Sequence, residues 1–339
     1  MPLRCFCHRK GAYRCHMSLT AQTSVSPKPS PRSLTVLGRP VEFWTRFALV
    51  WLMAITVTGA AVRLTGSGLG CTDWPTCSVN EELDAPAFHG TIEFGNRVIS
   101  GLAIIPVVAA WIIARRGRPD LRATLVGLII GFIGQVVLGM LVTRTELDPR
   151  VVLGHFLLSI VLIFLGVVLD YRARNPADGS VALSAEQRTQ RTHSYVVVAA
   201  ATVVIVVGTL VTGSGPHTGS EASGEPIPRL GFDIWEITRA HSVLAWVLVA
   251  AILAGLWRNR PSPNSSPTTT AAYSWFMRIG ALALLQGAIG YIQFFTGVPR
   301  ELVALHIAGS VLLWTAASWY ALRTTFPPVE ERVPVEMAK

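Results

Sequence analysis

Charge is scarce in this chain of 339 residues, with 14% charged against 51% apolar. Soluble domains carry about 25% charged residues, so the polar shell of a water-soluble protein cannot be assembled here. Alternation is also lacking: the apolar residues come in continuous runs, which excludes a membrane β-barrel and leaves helices as the spanning structure. Residues 1–41 lack Asp and Glu altogether and have no apolar core of the kind a signal peptide needs. They are expected to form a disordered, basic cytoplasmic leader. The spacing of its Cys5, Cys7 and Cys15 fits no zinc pattern. The net charge of +9 falls mainly on this leader and on loops, which gives no support to nucleic-acid binding.

Eight apolar stretches remain, at 43–62, 90–114, 123–142, 151–169, 194–211, 234–257, 273–296 and 302–321. Each is long enough to cross a bilayer core as helix. The expected fold class is therefore an all-α integral membrane protein with eight transmembrane helices. Arginines crowd the loops after the second, fourth and sixth stretches (Arg115, Arg116, Arg118 and Arg122; Arg172, Arg174, Arg188 and Arg191; Arg258 and Arg260). The intervening loops carry more acid, including Asp73, Glu81, Glu82 and Asp84. The positive-inside rule then puts both termini in the cytoplasm of a multi-pass cell-membrane protein.

The chain repeats itself. Thr65-Gly66-Ser67-Gly68 follows the first stretch and Thr212-Gly213-Ser214-Gly215 the fifth; Gln135, Gly139 and His155 return with the same separations as Gln286, Gly290 and His306. Four spans per half preserve orientation, so the halves form a parallel repeat of two four-helix bundles. The expected divisions are 42–171 for the N-terminal bundle, 172–193 for a cytoplasmic linker, 194–322 for the C-terminal bundle and 323–339 for a cytoplasmic tail.

Ionisable residues inside spans mark function by default. The stretch His89 to Arg97 reads HGTIEFGNR, and helical spacing puts His89, Glu93 and the pair Asn96/Arg97 on one face. The repeat aligns Asn96 with His241 and Glu93 with Thr238. One bundle thus holds His241 and His306, the other Asn96 and His155, with a carboxylate only in the latter. Two histidines from non-adjacent helices of a bundle suit a haem iron ligated from both sides; zinc would need further Cys or His ligands. A haem at His155 would have an open or weakly filled opposite face. Glu93 reads either as a proton donor and acceptor or as an ion pair with Arg97. His89 reads as a substitute ligand or a hydrogen-bond partner of a haem propionate. Arg63, Arg97, Arg144 and Arg150 read as propionate partners or as lipid-facing cations. Cys71 and Cys77 share a loop on the oxidising side and read as a structural disulfide or a redox-active pair.

The motifs RLTGSGLGCTDWPTC (63–77), IEFGNR (92–97), Gly154-His155, GTLVTGSGPHTG (208–219), His241 and Leu305-His306 together resemble haem A synthase, over about residues 44–321. The resemblance implies haem b in the C-terminal bundle, with His241 and His306 as its ligands. It implies haem O as substrate in the N-terminal bundle, where its C8 methyl is oxidised to a formyl group by successive hydroxylations. It further implies His155 as a ligand on the substrate side, Glu93 as the essential carboxylate and a Cys71–Cys77 disulfide. Family members often have His where this chain has Asn96. The implied partners are haem O synthase and the assembly of a cytochrome aa3-type oxidase, beside membrane lipid, no nucleic acid, and a homo-oligomer as an open option. Two other readings stay in view. A haem b electron-transfer cytochrome subunit would want paired histidines in both halves and no Glu93. A proton-coupled transporter would use Glu93 and His155 as a relay and bind no haem.

Overall fold

A computed structural model describes residues 35–82, 85–176, 183–220 and 227–328; Cys5, Cys7 and Cys15 lie outside the described residues. The helices are α1 (Val41–Leu64), α2 (Pro86–Leu102), α3 (Ile104–Gly117), α4 (Arg122–Arg144), α5 (Pro149–Arg174), α6 (Ala185–Ser214), α7 (Ile234–Arg258), α8 (Pro267–Phe295) and α9 (Arg300–Thr325). Counting α2 and α3 as one span, Pro86–Gly117, eight are long and apolar enough to cross a membrane. The protein is an all-α, multi-pass membrane protein. Its second span is broken at Ala103, and Pro106 explains the break. Proline cannot donate to the carbonyl four residues back, at Leu102, and its ring crowds that carbonyl.

In the first half α1 packs on α2, α3 and α5, and α4 on α3 and α5; in the second, α6 packs on α7 and α9, and α8 on α7 and α9. These are two four-helix bundles with the same circuit, so α1 corresponds to α6, α2–α3 to α7, α4 to α8 and α5 to α9. The contacts between bundles obey the same correspondence: α1 on α9 returns as α6 on α5, and α5 meets α9 at the centre. There Trp314 packs on Phe164 and its indole donates to Ile160 O at 3.1 Å. Buried Leu125, Leu128, Ile163, Val167, Ile252, Phe276 and Ile279 fill the cores, while large apolar residues such as Ile130, Ile133, Val243 and Leu284 remain exposed. Exposed apolar bands of this kind are what lipid covers.

Three expected boundaries are corrected. Residues 35–40 do not belong to a disordered leader: Thr35–Val36 pairs antiparallel with Arg39–Pro40, and Val36 O accepts from the Trp44 indole at 3.2 Å. The linker is shorter than 172–193, because α5 runs to Arg174 and α6 begins at Ala185. Its polar first turns hold because Ser184 and Gln187 form a capping box, each side chain accepting from the other's backbone N–H. Finally, only the first Thr-Gly-Ser-Gly follows its helix; Thr212, Gly213 and Ser214 are the last residues of α6.

At the end of α5, Asp170 is fully buried and joins the two helices that carry most of the first bundle. It accepts from Thr45 Oγ1 at 3.0 Å, Arg46 Nε at 2.7 Å and Arg174 Nε at 3.2 Å. Asp170→Ala is expected to lower stability by about 1–2 kcal/mol, the smaller end applying because both arginines can turn to water. Thermal unfolding in detergent reads this, and an unchanged midpoint would mean the cluster is dispensable.

Candidate functional site

His155, His241 and His306 each sit about two turns from the start of their helices, α5, α7 and α9, so all three lie at one end of the molecule, called here the histidine end. Each imidazole packs on a glycine of a neighbouring helix. A methyl on Gly208 would stand 2.9 Å from His241 Cε1, on Gly290 3.3 Å from His306 Cε1, and on Gly139 3.6 Å from His155 Cε1. Glycine at these positions lets the helix backbone approach the ring. The fourth position of the series is Asn96, whose Nδ2 would lie 3.9 Å from a methyl on Gly59. Asn96 Oδ1 and Thr58 Oγ1 are hydrogen-bonded at 2.9 Å. Gly59 on α1 and Gly208 on α6 therefore correspond, as do Asn96 and His241. The two Thr-Gly-Ser-Gly motifs do not correspond: Thr65 lies six residues beyond Gly59, and Thr212 four beyond Gly208.

The histidines fall into two groups. His89 Nδ1 bonds Ser67 Oγ at 2.8 Å, His193 Nε2 bonds Ala251 O at 2.7 Å and His217 Nε2 bonds Val298 O at 2.8 Å. All three are hydrogen-bonded, His89 buried and the other two half-buried. By contrast, the buried Nδ1 atoms of His155, His241 and His306 make no hydrogen bond of good geometry; backbone carbonyls at Val204 and Gln286 lie beside the His241 and His306 rings, the kind of partner to which a metal-ligating imidazole turns its other N–H. The rings of His241 and His306 stand 6.3 Å apart between centroids. A metal–imidazole bond of about 2 Å on each side, plus about 1 Å from each nitrogen to its ring centre, spans that gap. Among the described residues no three His, Cys, Asp or Glu side chains gather as a metal site, so the donor set is a pair of imidazoles. That set fits an iron whose remaining ligands come from a macrocycle.

Glu93 is buried on α2 and both its oxygens are engaged. Oε1 pairs with Arg97 Nη2 at 2.6 Å, and Oε2 accepts from Cys71 N at 2.9 Å. Arg97 goes on to donate to Asp73 O at 2.8 Å and Thr76 O at 2.7 Å. Those carbonyls belong to the loop closed by the Cys71–Cys77 disulfide, and both sulfurs rest near Gly90 O, at 3.8 and 3.9 Å. Within the loop, the Thr76 hydroxyl and the Ser78 N–H hold the Asp73 carboxyl below the usual carboxylate range. Glu93, Arg97 and the disulfide loop are thus one unit seated on α2, and His89 anchors it through Ser67. Gly70 is obligatory here, since a methyl would collide with His89 O.

The four arginines read from sequence separate. Arg97 serves the loop, Arg150 pairs with Asp148 at 2.7 Å and Arg144 is exposed. Arg63 instead crosses to the second bundle, donating from Nη2 to Thr212 O and His217 O, each at 2.8 Å. Arg229, which sequence reading missed, donates to the same Thr212 O at 3.1 Å. The signal was absent because the meeting point is a backbone carbonyl. Glu93→Ala should free the Cys71 N–H and leave Arg97 without its ion pair, held by the loop carbonyls of Asp73 and Thr76, loosening residues 71–77 on α2. The Cys71–Cys77 bond should then be reduced by a mild thiol about fivefold faster, as counted by alkylation and mass; an unchanged rate would show that the loop is held without Glu93.

Comparison with known proteins matches this architecture to the family model COX15-CtaA, described as cytochrome oxidase assembly protein, over residues 42–318. A heme A synthase of Caulobacter sp. (strain K31) is 27% identical over 349 residues, taking in 86% of this chain and 97% of that protein. A heme A synthase of Geobacillus thermodenitrificans is 31% identical over 160 residues, 45% of this chain, and the match spans half of that protein's length. A protoheme IX farnesyltransferase of Thermus thermophilus is 41% identical over 83 residues, 22% of this chain and 14% of that protein. Because the family match runs unbroken from α1 into α9, the chain belongs to the COX15-CtaA family of cytochrome oxidase assembly proteins.

Proposed function

We propose that this protein is a haem A synthase, a membrane oxidoreductase that converts the C8 methyl of haem O to the formyl group of haem A. The observation that carries the reading is the split among the histidines. The three whose Nδ1 atoms make no hydrogen bond of good geometry are those at matching positions of the repeat, and two of them stand 6.3 Å apart. In this reading His241 and His306 ligate haem b in the C-terminal bundle. His155 would ligate the iron of the substrate in the N-terminal bundle, whose matching repeat position is Asn96. A haem held between two imidazoles supplies one-electron transfer.

The rest falls to the chain's own groups. Glu93, one turn from Asn96, holds or moves a proton at the substrate edge; Arg97 and the Cys71 N–H fix where its carboxylate points. The disulfide loop lies over α2 and helps keep water from the N-terminal pocket. The cysteine pair acts in this role as a structural clamp. His89 is a positioning residue for the loop, since its ring is occupied by Ser67. The histidine end faces the outside and both termini face the cytoplasm, consistent with arginines at the opposite end, such as Arg115, Arg116, Arg172 and Arg174. Haem O must be supplied by a farnesyl-transferring haem O synthase. Haem A then passes to the assembly of an aa3-type oxidase.

The cytochrome-subunit reading asks for paired histidines in both halves, and Asn96 breaks that pairing. Spectra test whether haem binds, and the product of haem O conversion separates the two haem readings. Purified protein should show haem Soret and α bands. Gly208→Ala should perturb or abolish the C-terminal haem spectrum, because a methyl at 2.9 Å displaces His241, and Gly290→Ala, at 3.3 Å from His306, should perturb it less; equal effects would break the link between glycine contacts and ligation. Co-expression with a haem O source should yield haem A by extraction and mass. Glu93→Ala should abolish that product, a loss of at least about a hundredfold, while leaving haem b bound. Loss of haem b instead would reverse the assignment of the two pockets.

A further inference from the structure

Arg63 and Arg229 are charged groups for which the reaction above has no use. Arg63 lies four residues, one turn, beyond Gly59 on α1, and Thr212 lies one turn beyond Gly208 on α6. Arg63 and Thr212 are therefore counterparts in the repeat, and they meet across the boundary between bundles. The guanidinium of Arg63 is fixed by three bonds to the second bundle: Nη2 to Thr212 O and to His217 O, each at 2.8 Å, and Nε to His217 O at 3.0 Å. Arg229 reaches the same Thr212 O at 3.1 Å. His217 is itself fixed by Val298 O at 2.8 Å, so the base of this arrangement is rigid.

Capping the last carbonyls of α6 accounts for one arginine. It does not account for two. Like charges converge on a single carbonyl, and neither makes an ion pair with a carboxylate among the described residues. Burial pulls the Arg229 guanidinium below its ordinary pKa, so holding that charge here is costly as it stands. Guanidinium forks match carboxylates, and a carboxylate between two of them would offset that cost.

We propose that Arg63 and Arg229 form a carboxylate seat one turn beyond the Gly208–His241 contact, and that it holds a propionate of the haem ligated by His241 and His306. The proposal rests on the haem reading above. The seat makes the C-terminal pocket depend on a residue of the N-terminal bundle, so the two bundles share one binding determinant.

The test uses the full-length protein, produced in a haem-deficient host and titrated in detergent with protohaem or with its dimethyl ester, followed at the Soret band. The native protein is expected to prefer the diacid by at least about tenfold. The pair Arg63→Gln and Arg229→Gln together should bind the diester as the native protein does, which reports intact folding, and should bind the diacid no better than the diester. Should the double variant bind neither compound, Arg229→Gln alone, with all three bonds of Arg63 retained, decides on the same ratio. A preference that survives the substitutions overturns the seat while leaving the haem reading intact. A native protein that binds neither compound overturns the haem reading itself, and the seat with it.

Discussion

The close approach of an imidazole to a glycine backbone is the constraint on which this molecule depends. At Gly208, Gly290 and Gly139 the neighbouring helix has no side chain to hold the ring away, so the helices carrying histidine can pack with each ring against backbone and no well-aligned hydrogen bond at its Nδ1. The half-buried His193 and His217 differ, since each bonds a backbone carbonyl through Nε2. Because each contact joins neighbours in the circuit (α7 on α6, α9 on α8, α5 on α4), the same contacts that aim the rings also set helix spacing. Position and packing cannot be varied separately.

On this common frame the halves diverge at one helix position. His241 in the second half becomes Asn96 in the first, and an amide bonded to Thr58 replaces an imidazole. One turn away the substitution runs in the other direction, with Thr238 in the second half and Glu93 in the first. The carboxylate is not free-standing. Arg97 and the Cys71 N–H use both of its oxygens, so the first bundle gained a charged group together with a disulfide loop to orient it. One frame thus carries two differently equipped clusters, a pair of imidazoles in the second bundle and an imidazole, an amide and a fixed carboxylate in the first.

Much of this was legible in sequence, because span length, helical face and repeat spacing are carried by side-chain type. The eight spans and the correspondence of Asn96 with His241 were readable for that reason. Apolarity alone misplaced the start of α6, since its first turns are polar and are held by Ser184 and Gln187. It also hid the break at Ala103, which Pro106 encodes within an apolar run. The paired Thr-Gly-Ser-Gly motifs misled in a different way: identical letters ended α1 and formed the last turn of α6. Backbone partners were the least visible. Nothing in residue type marks Thr212 O as the point where Arg63 and Arg229 converge.

That convergence bears on why the bundles stay joined. The membrane-buried contact between them is apolar, through Trp314, Phe164 and the faces of α5 and α9, and lipid competes with such packing more effectively than water does. At the histidine end the joint is polar and directional: Arg63 to Thr212 and His217, and Gly68 N to Gly219 O at 2.7 Å. A methyl on Gly68 would stand 2.8 Å from that same carbonyl, so the loops can meet only because glycine is there. The apolar face gives the bundles proximity, and the loop contacts give them register. Since the Gly59–Asn96 and Gly208–His241 contacts lie one turn below those loops, the register of the bundles also sets how the two histidine-end clusters lie relative to each other.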